Sequence, residues 1–210
     1  MPSSSKYELV TVVVGPIQTN CYLLADAASK KTLIIDPGDE AGLIIKRLEY
    51  HKFVPIAIIN THGHADHIIA NGSIKKVYNI PIYIHKADSE YLTDPGLNFS
   101  ESTGISATSP AADHFVKGGD IIDVGELKVK VIESPGHTPG GILLMCEDLL
   151  FTGDTLFCGD IGRTDLPGGD SEALSKSLKI FKTLPITLKT YPGHGNPCIL
   201  SEEFKHNPYL

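Results

Sequence analysis

The sequence predicts a mixed α/β fold, with helices packed on sheets that contain both antiparallel and parallel strands. Two patterns predict it: β-branched segments separated by turn residues fill the first third of the chain, and strand–helix–strand alternation follows them. The composition agrees, because 41% hydrophobic residues, 20% charged residues and a mean hydropathy of +0.01 are typical of a globular protein. A chain of 210 residues can bury a full core, and we expect residues 1–210 to form one domain.

The amino-terminal part is predicted to begin as a meander of strands, each bounded by Gly, Pro, Asn or charged residues. Three strands follow from this pattern: Leu9–Val14, Cys21–Ala25 and Thr32–Asp36. A helix is predicted over Glu40–Tyr50, because Leu43, Ile44 and Leu48 fall on one side of it. The nearly continuous apolar run Pro55–Asn60 is typical of a strand covered on both faces.

The rest of the chain is predicted to alternate strands and helices around one long irregular segment. Asp94–Gly119 is rich in Pro, Gly, Ser and Thr and lacks periodicity, so we expect a functional or mobile loop there. A helix is predicted over Ser171–Thr183, with Asp170 as its N-cap. The other expected elements are a helix beginning near Ala65, a short helix around Ala87–Tyr91, helical turns at Ser201–His206, and strands at Ile80–His85, Ile121–Val124, Leu127–Glu133, Gly141–Cys146, Asp148–Thr152 and Thr187–Tyr191.

Charge and hydropathy disfavour several classes of function. The chain has 18 Lys and Arg against 25 Asp and Glu, and its net charge of −7 disfavours nucleic acid as a partner. No apolar run reaches the roughly 18 residues that a membrane span needs. The first eight residues lack a signal-peptide pattern, so we expect a cytoplasmic protein. We also expect no membrane partner, and a monomer or small homo-oligomer.

The four cysteines are irregularly spaced and include no C-x-x-C pair: Cys21, Cys146, Cys158 and Cys198. In a cytoplasmic chain of this size they are expected to be free thiols, mostly buried. Cys158 follows Asp154 by four residues and Cys198 follows His194 by four, so we expect both near any site that Asp154 and His194 form.

The histidines carry the main functional signal, because five of the nine fall in three short segments that contain glycine. The first segment follows a predicted buried strand and opens a helix, which is where α/β sheets place their sites. It contains four potential metal ligands: His62, His64, Asp66 and His67. One metal cannot use all four without strain, whereas two adjacent metals can. Imidazole and carboxylate suit Zn²⁺ and also iron or manganese. The alternative, a polar helix N-terminus with solvated histidines, is disfavoured by this density of ligands.

Three further candidates each follow a predicted strand. His137 and His194 both come directly after a Pro-Gly pair, and Asp154 comes after Thr152 and Gly153. One such turn would be unremarkable, but three strand-end ligands in the chain that carries the first motif indicate one shared site.

Together these motifs resemble those of the metallo-β-lactamase-fold hydrolases, and within them the glyoxalase II (hydroxyacylglutathione hydrolase) group. The matching segments are Thr61–His67, Pro135–Gly140, Thr152–Phe157 and Pro192–Gly195. The resemblance implies a four-layer αββα sandwich with the site at one edge. It also implies the ligands of two metals: His62, His64 and His137 for the first, Asp66, His67 and His194 for the second, and Asp154 bridging both.

The activity that the resemblance implies is hydrolysis of a small-molecule thioester of the S-2-hydroxyacyl-glutathione type. Two divalent ions, zinc first and iron or manganese next, would hold a bridging water and lower its pKa to give hydroxide near neutral pH. Asp66 would orient that hydroxide and Asp154 would join both metals, so these two are the expected catalytic residues. A Ser or Cys nucleophile with an adjacent base is then not required.

The resemblance is weaker where the substrate would bind. Glyoxalase II proper has a helical extension after its last ligand, whereas this chain ends soon after His194. Arg163 occupies the position where that group places a basic residue against the substrate's carboxylate, so we expect it to bind substrate. Gly162–Asp170 resembles the short, single-domain glyoxalase II-like proteins of prokaryotes.

Two other functions remain open at this stage. Gly162–Asp165 also resembles the persulfide dioxygenases, which implies a non-haem iron enzyme with one iron bound by His62, His137 and Asp154. The other is a non-catalytic metal-binding scaffold. Seven polar ligands on open loops argue against it, because structural zinc sites are usually closed by four ligands rich in Cys.

Overall fold

The amino-terminal half of the chain forms the first of two six-stranded sheets. In the computed structural model, which describes residues 5–104 and 106–210, the strands of this sheet pair in chain order. They are β1 (Tyr7–Val14), β2 (Thr19–Asp26), β3 (Lys31–Ile35), β4 (Val54–Ile59), β5 (Ile82–His85) and β6 (His114–Val116). The first three are antiparallel neighbours and β3 to β6 run parallel, so the sheet is mixed.

The carboxyl-terminal half forms the second sheet. Its strands are β7 (Ile121–Val124), β8 (Leu127–Glu133), β9 (Ile142–Cys146), β10 (Leu149–Gly153), β13 (Lys189–Pro192) and β14 (Cys198–Ile199). They lie in the order β14-β13-β10-β9-β8-β7, and only β10 and β13 are parallel neighbours. A short hairpin of β11 (Leu156–Phe157) and β12 (Asp160–Ile161) follows β10.

Helices cover the outer faces of both sheets: α1 (Ala41–His51), α2 (Ala65–Ile68), α3 (Asn71–Tyr78), α4 (Ser171–Leu178) and α5 (Leu200–His206). One hydrophobic cluster packs Ile44 of α1 and Ile74 of α3 on the first sheet. A second fills the space between the sheets, where the Tyr22 and Phe151 ring centroids lie 5.1 Å apart. A third packs Leu174 of α4 on the second sheet. The layers therefore run helices, sheet, sheet, helices, which confirms the expected αββα sandwich.

Several local predictions are confirmed and others are wrong. Asp170 caps α4 as expected, because its Oδ1 accepts hydrogen bonds from the N–H groups of Glu172 and Ala173. The helix expected to begin near Ala65 does begin there, as the short helix α2, and α3 follows it. The helix expected up to Thr183 changes to 3₁₀ geometry after α4 ends.

The segment expected to be a loop, 94–119, contains β6 and a 3₁₀ turn at Glu101–Thr103. Three residues of strand are too few to show periodicity, and β6 forms by pairing with β5. Residues 1–4, in which no signal-peptide pattern was found, and Ile105 of the expected loop lie outside the described residues. Within the described ranges no helix is long and apolar enough to cross a membrane.

Candidate metal centre

Strand ends deliver all seven candidate ligands to one edge of the sandwich. In the first sheet β4 is followed by four of them: His62, His64, Asp66 and His67. In the second sheet β8, β10 and β13 run in the same direction, so their carboxyl ends share an edge. Each precedes one candidate: His137 after β8, Asp154 after β10 and His194 after β13.

The two sheets are joined at this edge by the start of β2. Thr19 and His194 form an isolated antiparallel bridge, and the N–H of Asn20 donates to the carbonyl of Gly193 at 2.7 Å. The side-chain amide of Asn20 also donates to the carbonyl of Pro192 at 3.0 Å. The loop that carries His194 is thereby fixed on the first sheet.

The seven side chains meet as three overlapping groups, and within each group the potential ligand atoms lie within 4.8 Å of one another. The groups are His62 with His64 and His137, His62 with His67 and Asp154, and Asp66 with His67 and His194. The structure thus brings together every ligand that the resemblance implies.

Asp154 lies between the two ends of this cluster. Its Oδ2 is 3.6 Å from Nε2 of His137 and 3.5 Å from Nε2 of His194, and its Oδ1 is 3.4 Å from Nε2 of His67. Gly193 permits this close approach, because a Cβ at that position would collide with Oδ1 of Asp154. This is the position expected of a ligand shared by two metals.

Within the cluster Nδ1 of His64 lies 2.9 Å from Nε2 of His137, but other buried donor atoms have no such partner. Among the described residues, several buried atoms of the cluster make no hydrogen bond: His62 Nε2, His64 Nε2, His67 Nε2 and Asp154 Oδ1. Buried polar atoms are normally hydrogen-bonded, so such a group of them needs a partner. Imidazole nitrogens and carboxylate oxygens are the donors that zinc, iron and manganese accept.

Groups outside the cluster orient three of the histidine rings. Nδ1 of His137 donates to the carbonyl of Arg163 at 2.8 Å, which leaves the Nε2 lone pair of His137 facing the centre. His194 is held in the same way, by the carbonyl of Ile17 at 3.2 Å from its Nδ1. Nδ1 of His67 lies 3.1 Å from Oδ2 of Asp36. Such partners fix the tautomer and direction of metal-binding histidines.

Comparison with known proteins identifies the family. Residues 14–194 match the family model of the metallo-beta-lactamase superfamily. The chain belongs to that superfamily. One relative is the probable metallo-hydrolase YqgX of Bacillus subtilis, 37% identical over 94% of both chains. Another is the hydroxyacylglutathione hydrolase GloC of Haemophilus influenzae, 32% identical over 95% of this chain and 96% of the relative.

Solved structures of the superfamily have the same fold. BLEG-1 B3 metallo-beta-lactamase superposes with a TM-score of 0.92 at 38% identity, covering 97% of this chain and 99% of that one. TTHA1623, in a di-iron-bound form, gives a TM-score of 0.87 at 32% identity, covering 96% and 100%. ETHE1 from Myxococcus xanthus gives 0.80 at 27% identity, covering 96% and 83%.

Two of the candidate ligands are histidines that stay neutral. Burial, together with the facing rings of His67 and His137, lowers the pKa of His62 well below its usual range. Burial and His137 lower the pKa of His64 to about 3. Neutral imidazole is the form that binds a metal, so both rings are ready to do so near pH 7.

Negative charge dominates the other side of the centre. Burial would lower the pKa of His67, but Asp66, Asp154 and Asp36 raise it well above its usual range. Burial would likewise raise the pKa of Asp66, yet His67 and a hydrogen bond from His194 keep it well below. Asp66 therefore stays ionised, and divalent cations would neutralise the excess charge that these carboxylates bring.

Asp88, which the sequence analysis did not single out, ties two loops of the centre together. It is fully buried in the 3₁₀ segment Lys86–Leu92. Its Oδ2 accepts hydrogen bonds from the N–H of Gly63 at 3.0 Å and the hydroxyl of Thr138 at 2.7 Å, and its Oδ1 accepts one from the N–H of Gly140 at 2.5 Å. Burial raises the pKa of Asp88, and these bonds oppose that effect.

Asp36 was also missed, although a signal was available. It directly follows β3 and precedes a Pro-Gly pair, which is a strand-end position like that of Asp154. The signal for Asp88 in the sequence was weaker, because this residue does not directly follow a strand. It lies three residues after the end of β5, in a segment that was expected to be a short helix.

Arg163 is tied to the centre through its backbone, while its side chain points elsewhere. The guanidinium is 60% exposed and makes two hydrogen bonds of 2.6 Å to the carboxylate of Asp165. A carboxylate on a substrate would have to compete with Asp165 for this group.

The cysteines are free in the described chain, as expected, but not all are buried. Cys21 and Cys146 lie in the core, whereas Cys158 is exposed and Cys198 is half-buried. Cys158 occupies the turn of the β11–β12 hairpin and Cys198 lies in the edge strand β14, so neither faces a core cluster and neither is fully buried.

Proposed function

We propose that this metallohydrolase is a thioesterase that cleaves small thioesters of the S-2-hydroxyacyl-glutathione type at a two-metal centre. The observation that carries the proposal is the placement of Asp154 between two groups of three candidate ligands each. The 32% identity to the hydroxyacylglutathione hydrolase GloC over almost the full length of both chains supports the choice of substrate. The net charge of −7 favours a small-molecule substrate over nucleic acid.

Two divalent ions, zinc or alternatively iron or manganese, would be held by His62, His64 and His137 on one side and by Asp66, His67 and His194 on the other, with Asp154 shared. When bound, they would polarise the thioester carbonyl and make a water molecule nucleophilic near neutral pH. The residues of the chain would orient the water molecule and the substrate around the metals.

Asp66 is the group that would accept a hydrogen bond from the attacking water and orient it. Its Oδ2 accepts a hydrogen bond from the hydroxyl of Thr19 at 3.0 Å and lies 3.2 Å from Nε2 of both His67 and His194. Asp66 is 26% exposed in its side chain, so one face remains open to solvent and substrate. The leaving thiolate, with a pKa of about 8.5, departs without a strong acid beside it.

A persulfide dioxygenase is the second candidate. The structural likeness to ETHE1 at 27% identity and the Gly162–Asp165 segment favour it. It would need one iron, held by His62, His137 and Asp154, with positions left open for oxygen.

The two candidates differ in metal content and in co-substrate. Protein with a measured content of zinc, iron and manganese is assayed for hydrolysis of S-lactoylglutathione and for oxygen uptake with glutathione persulfide. Two metals per chain and thioester hydrolysis, both lost with a chelator and restored with metal, support the thioesterase. One iron per chain with oxygen uptake would replace it with the dioxygenase. Because BLEG-1 is described as a β-lactamase, a β-lactam belongs in the same assay, and preference for it would overturn the thioester assignment.

A further inference from the structure

A second cluster of metal-binding side chains lies outside the seven-residue centre and shares no residue with it. Cys158 in the turn of the β11–β12 hairpin, Cys198 in β14 and Glu203 in α5 come from three separate elements. Their two sulfur atoms and one carboxylate oxygen all lie within 4.8 Å of one another. We propose that these three residues bind one thiophilic divalent cation, with Zn²⁺ as the best match, in a site separate from the hydrolytic centre.

Glu203 is a fixed ligand because the protein already orients it. Glu203 is buried, with only 2% of its surface exposed. Its Oε2 accepts hydrogen bonds from the N–H of Gly159 at 2.9 Å and from the amide of Asn207 at 2.8 Å. The same amide donates to the carbonyl of Asp160 at 3.1 Å, so α5 holds the hairpin turn in place.

The cluster combines a carboxylate anion with two thiols that face it. Burial would raise the pKa of Glu203, but hydrogen bonds from Cys198, Asn207, Gly159 and Cys158 lower it, so the carboxylate remains charged. Burial and contact with Glu203 raise the pKa of the Cys198 thiol to about 12. Without a cation, the two thiols therefore donate hydrogen bonds to the buried carboxylate of Glu203. A cation can take the place of the thiol hydrogens.

The spacing and donor types suit zinc. Zinc binds Cys sulfur at about 2.3 Å, so two sulfurs on one tetrahedral ion lie roughly 3.8 Å apart, which the cluster accommodates. Soft thiolates select zinc over magnesium, calcium or manganese. Binding converts both thiols to thiolates and releases two protons to solvent, while the Glu203 carboxylate binds as it is. Because Cys158 is exposed, the fourth position on the ion is left for water.

A cation here would connect the two loops that lead out of the hydrolytic centre. Cys158 follows Asp154 by four residues and Cys198 follows His194 by four. The rings of Phe157 and His194 lie 6.2 Å apart, so these loops already run side by side. The cation would fix them to each other and to α5.

The alternative fate of two adjacent thiols is a disulfide. It would form one sulfur–sulfur bond with loss of two protons and two electrons to an external oxidant, and it would remove both thiolate ligands. The experiment below distinguishes this disulfide from a bound cation.

The test uses the full, reduced chain with its His and Asp centre already loaded with zinc, titrated with Cd²⁺ and followed by thiolate-to-cadmium absorption in the ultraviolet. His and Asp ligands give no such band, so the signal reports only cysteine binding. We expect one equivalent of Cd²⁺ to give the band in the wild type. Cys158→Ser and Cys198→Ser should each lose most of it, and Glu203→Gln should weaken binding at least tenfold. Glu202→Gln, its exposed neighbour in α5, is the matched control and should bind as the wild type does.

Metal analysis after gel filtration gives the second readout. The zinc-loaded wild type should retain one more zinc per chain than Cys158→Ser, a variant in an exposed turn outside the core clusters. Equal zinc content in both proteins, an absent cadmium band in the wild type, or a band that persists in both serine variants would overturn the site. So would thiol counting that finds Cys158 and Cys198 joined as a disulfide under the reducing conditions used.

Discussion

Nδ1 of His67 lies 3.1 Å from Oδ2 of Asp36, while Nε2 of the same ring faces Asp66 and Asp154. Asp36 is itself fixed, because its carboxylate accepts hydrogen bonds from the backbone N–H of Thr61 at 2.7 Å and from the Thr61 hydroxyl at 2.6 Å. The strand end behind the His67 ring therefore helps to set its direction, in addition to the candidate ligands that face Nε2.

Asp36→Asn should weaken metal binding without removing a ligand. The amide cannot serve both Thr61 and His67 as the carboxylate does, and losing such a partner typically costs about 10–100-fold in metal affinity. We expect a loss of that size for one of two metals, measured by competition with a chromophoric chelator. Asp39→Asn, three residues along the chain, is the control, and equal affinity in all three proteins would contradict the role given to Asp36.

Asp154→Ala should remove both metals together and abolish turnover. Asp154 contacts candidate ligands from both groups, so its loss affects each of them. Elemental analysis of the purified variant measures the metals, and circular dichroism checks the fold. Asp123→Ala, an exposed carboxylate in β7, should keep both metals. A variant at position 154 that still holds two ions would exclude a shared ligand.

Arg163→Ala should raise KM for a thiol carrier that bears a carboxylate and leave kcat nearly unchanged, because it removes binding that is equal in the ground and transition states. The pairing with Asp165 adds a second expectation. Asp165→Asn frees the guanidinium and should lower KM for the same substrate. Steady-state kinetics on carriers with and without the carboxylate measure both effects, and an unchanged KM in both variants would remove Arg163 from substrate binding.

Asp88→Asn should destabilise the folded protein. Its carboxylate accepts three hydrogen bonds, on both oxygens. An amide has one acceptor, so at least one N–H of Gly63 or Gly140 would face the NH₂ group, at a cost of about 1–3 kcal/mol in the free energy of unfolding. Denaturant titration measures that cost. If the variant unfolds like the wild type, the bonds of Asp88 contribute nothing to the loops that carry His62 and His137.

Glu203→Gln should destabilise the protein in a pH-dependent way. The folded pKa of Glu203 lies below the unfolded value of about 4.3, so its ionised form stabilises the fold above that value. This contribution is lost as the pH falls through the lower folded value. The difference in unfolding free energy between wild type and variant should therefore be constant near neutral pH and shrink below about pH 4. A difference that grows in acid would contradict the charge assigned to Glu203.

The sequence was most informative where spacing and residue type reinforce each other. His62, His64 and His67 could be grouped because they share one short segment after an apolar strand. Asp88 could not, because its partners lie 25 to 52 residues away and are backbone N–H groups or a hydroxyl, which leave no pattern in side-chain types. The strand β6 was not predicted for a related reason. Its formation depends on pairing with β5 more than on its own three residues.

The ion pair between Arg163 and Asp165 could not be predicted from the sequence either. Arg163 and Asp165 are two residues apart in a turn, and only the backbone geometry decides whether their side chains meet. The cluster of Cys158, Cys198 and Glu203 requires three elements to converge, although the spacing of both cysteines from Asp154 and His194 already placed them in the neighbourhood.

The hydrogen bond from His194 to the carbonyl of Ile17 spans 177 residues of sequence, and it has a consequence for how the protein assembles. Contacts of such long range form late in folding, because the chain must first lose the entropy of closing a very large loop. His62 and His64 are neighbours from the start, but His194 can join them only after the two sheets have docked. The rate at which a refolding sample takes up its full complement of metal should therefore follow the slowest step of folding, after the burial of the first sheet's core.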